Sequence, residues 1–271
     1  MVVSLSLGIT SYTTGIYNHV HDLNDLSLLL QIILGVVTGT LTGLTGASGM
    51  SVLISVLLGL RTPPEQIIST TFAVAGVNAS FAMMPYLRKH KPTLHELSVF
   101  AVPASLGGIA SYLFIATELS SGFLGLCLTG FMLIAGIYLT MNKKGEKKQL
   151  LHIPRVFIGI LSFVSGGIIG IFGGGGTIFI TLGLVILFGI QYHRALMLSL
   201  LMTVFTCIPL IALSYTKDNL AIEPILVILA SSIPCALIAG TWANKLPETM
   251  IKRVLGIYLI GISLYLFVSR I

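Results

Sequence analysis

The sequence predicts an all-α integral membrane protein of two inverted repeats, about five segments each, each repeat opening with a Gly-rich broken or re-entrant helical hairpin. Three observations lead there. First, 55% of the 271 residues are apolar, only 9% are charged, and the mean hydropathy is +1.00. A soluble domain carries about 25% charged residues, so this chain lacks the polar surface to cover a water-facing globule. Second, the long charge-free runs fall into two sets with the same order of lengths. Third, each set begins with a run that is too long for one crossing and holds a dense glycine cluster.

Composition also excludes whole classes. Nine acidic and fifteen basic residues leave no material for a disordered charged tail or an acidic scaffold. The net charge of +6 has no basic stripe with interleaved aromatics behind it, so no nucleic acid is expected as a partner. Cys127, Cys207 and Cys235 sit in apolar runs without metal spacing or a disulfide framework, so neither a metal nor a cofactor is expected.

Along the chain, residues 1–25 contain no Lys or Arg, do not resemble a signal peptide and form a short N-terminal segment outside the repeats. The first membrane repeat covers 26–142. Its charge-free runs are 26–60, 66–87, 97–117 and 119–142, of 35, 22, 21 and 24 residues. A basic linker at 143–154 follows, beginning Lys143-Lys-Gly-Glu-Lys-Lys148 and read as a topology signal. The second repeat, 155–271, holds runs at 156–193, 195–216, 224–244 and 254–269, of 38, 22, 21 and 16 residues. A crossing needs about 20 apolar residues, which six of the eight runs supply once. The last is short, but Lys252, Arg253 and Arg270 at its ends can reach the headgroups.

The two long runs must fold back. A 35-residue helix would extend about 52 Å against a hydrocarbon core of about 30 Å. The turn in the first falls at Gly43-Leu-Thr-Gly46-Ala-Ser-Gly49-Met50, and in the second at Gly170-Ile-Phe-Gly173-Gly-Gly-Gly176-Thr177. Both clusters have glycine at the same offsets, with a further glycine four residues earlier, Gly39 and Gly166. The returning limbs, at 47–60 and 176–189, are too short to cross and read as half-helices that begin inside the membrane.

If each hairpin contributes two segments, each half has five and the second half is inverted. One face then receives twelve of the Lys and Arg residues and the other receives Arg61, Lys217 and Arg270. Counting each long run as one crossing divides them ten to five, so the five-segment count obeys the positive-inside rule better and places both termini outside.

A helix that begins inside protein leaves its first N–H groups without partners and carries about half a positive charge there. Glycines let the backbone turn and let a ligand come close. Two such starts aimed at one point suit an oxyanion without a buried Lys or Arg. The expected substrate-binding residues are therefore Gly46, Ala47, Ser48, Gly49, Gly173, Gly174, Gly175, Gly176 and Thr177, with Thr45 and Ser51 adding hydroxyls nearby. Thr71 and Asn78 share a face of the next helix, as do Ser199, Thr203 and Thr206 in the second half; these line the same site or else bond to their own backbone. Gly35, Gly39 and Gly166 are read as close-packing positions. All nine acidic residues fall at segment ends or in loops, leaving no carboxylate at mid-depth for a proton relay. Proton coupling would need Glu65 or His193, which match between the halves.

At the glycine clusters the sequence resembles the TauE/SafE family of sulfite exporters, also called the toluene sulfonate uptake permease family. The resemblance extends over residues 27–270 and includes Ile68-Ser-Thr-Thr71 and Ala195-Leu-Met-Leu-Ser199, which are similar to that family's A-x-x-T-S pattern. The first cluster departs in having Ala47 and Ser48 where glycines are common, and Ile54 and Thr181 stand near the place of a usual proline. The resemblance implies a secondary transporter of small sulfur-containing anions such as sulfite or sulfonates, moved outward across a prokaryotic plasma membrane. Its expected partners are a small anionic substrate and the lipid bilayer, with homo-oligomerisation left open. An anion channel or a carrier of non-sulfur carboxylates would use the same donors.

An enzyme is the distant alternative. Gly46-Ala-Ser48-Gly49 matches the G-x-S-G of intramembrane serine proteases, but a serine nucleophile needs a base at its own depth. The six histidines, His19, His21, His90, His95, His152 and His193, all lie in loops or at segment ends. No catalytic residue is therefore expected.

Overall fold

The computed structural model describes residues 27–46, 49–59, 62–88, 91–114, 129–130, 133–134, 136–141, 155–172, 176–186, 189–216 and 222–268. The described residues form helices. They are α1 (Leu28–Thr45), α2 (Met50–Gly59), α3 (Pro64–Leu87), α4 (Leu94–Phe114), α5 (Arg155–Phe172), α6 (Gly176–Ile186), α7 (Tyr192–Tyr215), α8 (Ile222–Ala243) and α9 (Glu248–Val268). Further helical residues lie within 129–141. Five helices, α1, α3, α4, α7 and α8, are long and apolar enough to cross a membrane. The N-terminal segment 1–25 and linker positions 143–154 lie outside the described residues.

Helix lengths recur between the first and second parts of the chain. α1 and α5 both have 18 residues, α3 and α7 both have 24, and each pair is displaced by one constant offset at both ends. The helices before α3 and α7 end alike. Thr62 donates its N–H to the Leu57 carbonyl at 3.1 Å, and Ile190 donates to the Leu184 carbonyl at 3.1 Å. The second turn holds one residue more, so the offset grows by one there. Gly189, in that turn, takes a φ of 60°, a left-handed conformation that only glycine adopts at little cost. The residues that open α3 and α7, Pro63 and Gln191, have the same φ and nearly the same ψ, −54° with 134° and 135°.

Contacts between elements also come in matched pairs. α1 packs on α8 as α5 packs on α4, α8 packs on α3 as α4 packs on α7, and α3 packs on α7 itself. Each half thus clasps elements of the other. The first helices do so at backbone contact. A Cβ on Gly39 would enter the Ser232 carbonyl and one on Gly166 the Ala104 carbonyl; Gly43 and Gly170 face Ala236 and Gly108 in the same way. Gly35 also lies against Ile228 and Ser231. The close-packing reading of Gly35, Gly39 and Gly166 holds, because small residues let backbones approach where no hydrophobic drive joins helices.

Both long runs fold back as two helices. α2 begins just after the last glycine of its cluster and α6 at the last glycine of its own, and they are 10 and 11 residues long, about 15–17 Å. That is shorter than the expected 47–60 and 176–189, because α2 begins at Met50 and α6 ends at Ile186. Gly176 lies against Ser165 and Ile169 of α5, and Gly183 lies against Leu161, so α6 runs back antiparallel to α5 from a point well inside its length. Gly49 lies against Thr38 of α1 in the matching position.

One end of the bundle gathers the polar ends of α3, α4, α7, α8 and α9. Arg194 bonds Glu96 at 2.5 Å, joining the starts of α7 and α4. Thr93 and Glu96 form a reciprocal cap, with the Glu96 N–H donating to Thr93 Oγ1 at 3.2 Å and the Thr93 N–H to Glu96 Oε2 at 2.9 Å. His193 lies 3.2 Å from the Ala243 carbonyl and 3.6 Å from Glu248. Lys252 sits over the Tyr192 ring at 5.5 Å. Arg194 and Lys252, at this end, are among the residues that the five-segment count assigns to one face.

Candidate functional site

Serine and threonine in apolar helices commonly donate to the carbonyl one turn back, since no water is present to take the proton. Most candidates on α3 and α7 do this. Thr71 donates to the Ile68 carbonyl at 2.7 Å, Ser199 to Leu196 at 2.8 Å and Thr203 to Ser199 at 2.8 Å. All three are buried, and their hydroxyl protons are already committed. Asn78 and Thr206 differ. Both are 0% exposed, and Asn78 Nδ2 and Thr206 Oγ1 have no hydrogen-bond partner among the described residues. Such a group costs about 1–3 kcal/mol when left unpaired in protein, so its persistence calls for a reason.

These two side chains flank the point where α3 and α7 cross. A Cβ on Gly76 would come within 2.9 Å of Cys207 Cβ, one residue beyond Thr206 and two before Asn78. From there a chain of contacts leads to both hairpins. Asn78 Oδ1 accepts from Ser232 Oγ at 2.7 Å, Ser232 lies against Gly39, and the adjacent Thr38 lies against Gly49 at the start of α2. On the other side Thr206 lies against Gly108, Gly108 against Gly170, and the adjacent Ile169 against Gly176 at the start of α6. A short chain of contacts therefore links each half-helix start to the place where α3 and α7 touch. Sequence reasoning named Asn78 and Thr206 but gave no sign of Ser232. A Ser pair in an apolar run looks like packing, and its partner stands 154 positions away.

The glycines at the turns have separate duties. Gly46 caps α1 with a φ of 62°, donates its N–H to the Thr42 carbonyl at 2.9 Å and lies under the Leu196 side chain. Glycine is needed there for the left-handed backbone. Gly49 and Gly176 are fixed by close approach, since a Cβ would strike Thr38 or the Ser165 carbonyl. The N–H of Gly49 is also taken, donating to Thr42 Oγ1 at 3.0 Å while Thr42 donates onward to the Thr38 carbonyl at 2.7 Å. The expectation that the first half-helix start is wholly unbonded is corrected to that extent: a threonine hydroxyl one turn back has an accepting lone pair within reach. Thr177 is fully buried just inside α6, and its carbonyl accepts from Thr181. Ala47, Ser48, Gly173, Gly174 and Gly175 lie outside the described residues.

Among the described residues, His193, Glu96, Glu223 and Glu248 lie at helix starts. His193 belongs to the polar end of the bundle, and the three carboxylates lie in first helical turns, where they meet the positive end of the helix. Among the described residues no group of three His, Cys, Asp or Glu could hold a metal ion.

The chain was compared with known proteins. No curated protein matches it. The family model described as Sulfite exporter TauE/SafE matches residues 31–266, nearly the whole chain, and includes both glycine clusters, Asn78, Thr206 and Ser232. The chain belongs to the sulfite exporter TauE/SafE family, a family of membrane transporters.

Proposed function

We propose that this protein is a secondary transporter that exports small sulfur-containing anions such as sulfite or sulfonates across a prokaryotic plasma membrane, with both termini outside. Two inverted halves rock against each other around a mid-depth site. The starts of α2 and α6 contribute positive helix ends, and the turns at Gly46–Gly49 and Gly173–Thr177 let the anion meet the backbone. Thr71, Asn78, Ser199 and Thr203 line the same space from α3 and α7. Family membership supports transport and sulfur chemistry. The observation that supports this mechanism is the chain of contacts that links the α2 start and the α6 start to the α3–α7 contact. Repeats that exchange contacts in matched pairs are what two rocking halves require.

Helix ends and neutral donors suit an anion because they stabilise charge without a buried Lys or Arg, and without a carboxylate to repel it. The test is a thermal-shift screen of the purified protein against sulfite, thiosulfate, sulfonates and small carboxylates. A ligand at 100 times its Kd adds about 2.7 kcal/mol to folding stability, which is a readily measured shift. Stabilisation by the sulfur anions above the carboxylates is expected. Stabilisation by carboxylates alone would overturn the substrate class.

A further inference from the structure

Asn78 and Thr206 are the same position in the two halves, on α3 and α7. Among the described residues four other buried side-chain atoms lack partners, on Gln66, Thr70, Ser162 and Tyr192, and none has an unpartnered counterpart in the other half. A matched pair of idle donors, on the two helices that touch at Gly76 and Cys207, is hard to explain as a packing accident.

The surroundings of the pair are unequal. Ser232 on α8 donates to Asn78 Oδ1 at 2.7 Å. The matching position on α4 is Ala104, which offers Thr206 no side-chain partner, and the adjacent Ser105 gives its hydroxyl to the Ala101 and Phe205 carbonyls at 2.8 Å and 3.0 Å. A carboxamide has one accepting and one donating end. With Ser232 donating to Oδ1 at 2.7 Å, Nδ2 is directed away from Ser232; the turned-over amide would instead send the Ser232 proton to the Leu229 carbonyl at 3.4 Å, a longer and weaker bond.

We infer that Asn78 Nδ2 and Thr206 Oγ1 donate to two oxygens of the transported anion, and that Ser232 is a positioning residue that locks the Asn78 amide in its donating orientation. The inference rests on the transport reading above and narrows its substrate. The ligand is a small oxyanion presenting two acceptor oxygens, bound in its deprotonated form. A neutral ester still has two acceptor oxygens but lacks the negative charge that the helix starts stabilise, so it should bind far more weakly than the anion.

The experiment measures sulfite counterflow in proteoliposomes of the full chain, with methanesulfonate as a competitor and its methyl ester as the neutral control. Asn78→Asp keeps the shape and replaces a donor with a charge; KM for sulfite should rise about 100-fold. Thr206→Val should raise KM about 10-fold and Thr206→Ser should restore it. Ser232→Ala should raise KM about 5-fold to 10-fold with kcat within about twofold, and Ser232→Thr should recover the wild-type KM. A purely structural role would lower the amount of active carrier and leave KM alone. Unchanged KM in Ser232→Ala and Thr206→Val overturns the inference, as does competition by the methyl ester equal to that by methanesulfonate. If Asn78→Asp fails to insert, the two Thr206 variants decide. Wild-type counterflow with indifferent variants sinks this inference alone, whereas a wild-type protein that moves neither sulfite nor any sulfonate sinks the transport reading and this one with it.

Discussion

The two glycine hairpins share geometry and differ in chemistry. In both, a helix of 18 residues is followed by a short one that starts against its middle. The first is rich in threonine. Thr38, Thr42 and Thr45 donate to carbonyls one turn back, and Thr42 also accepts the Gly49 N–H at 3.0 Å. In the second, Ile169 stands where Thr42 stands in the first, and it has no acceptor to offer. The first hairpin thus neutralises part of its own helix start, and the second has no such acceptor at Ile169. The comparison teaches that a repeated backbone need not mean a repeated ligand shell, and it points to the second hairpin as the stronger anion holder.

Four substitutions test that contrast, beginning with the largest effect. Gly176→Val places a branched side chain in the Ser165 carbonyl and should reduce transport to background in proteoliposomes, because backbone cannot yield there. Ile169→Thr gives the second hairpin the acceptor that the first has. Anion affinity should fall about 5-fold to 10-fold, read as KM for sulfite, and an unchanged KM would mean the Gly176 end does not face substrate. Gly46→Ala forces a methyl into a left-handed backbone beneath Leu196 and should cost about 1–3 kcal/mol, read as a lower melting temperature. Arg194→Ala removes a half-exposed ion pair to Glu96 at the polar end of the bundle; it should cost no more than about 1 kcal/mol and leave KM unmoved.

Much of this architecture was legible in the sequence. Charge-free runs set the segment count because each charge at mid-depth is costly, and the two glycine clusters marked where over-long runs must turn. Matching offsets paired α3 with α7 and placed Asn78 opposite Thr206. Other features were not legible. Whether Thr71, Ser199 and Thr203 use their protons on their own helix depends on rotamers that spacing does not encode. The Asn78–Ser232 bond joins α3 to α8 across the repeats, and one sequence carries no trace of such a pair. The Thr42–Gly49 bond was equally hidden, since a threonine on an apolar stripe reads only as tolerated. The reciprocal cap at Thr93 and Glu96 has a sequence signature, yet its tie to Arg194 needs α4 and α7 to start side by side.

The most direct test is sulfite counterflow by wild-type protein beside Gly174→Val and Gly175→Val, with membrane insertion measured in parallel. The account predicts saturable, exchange-stimulated uptake by the wild type and none by either variant, although both insert. Full transport by both variants, or a wild-type flux that rises linearly without exchange, would contradict it.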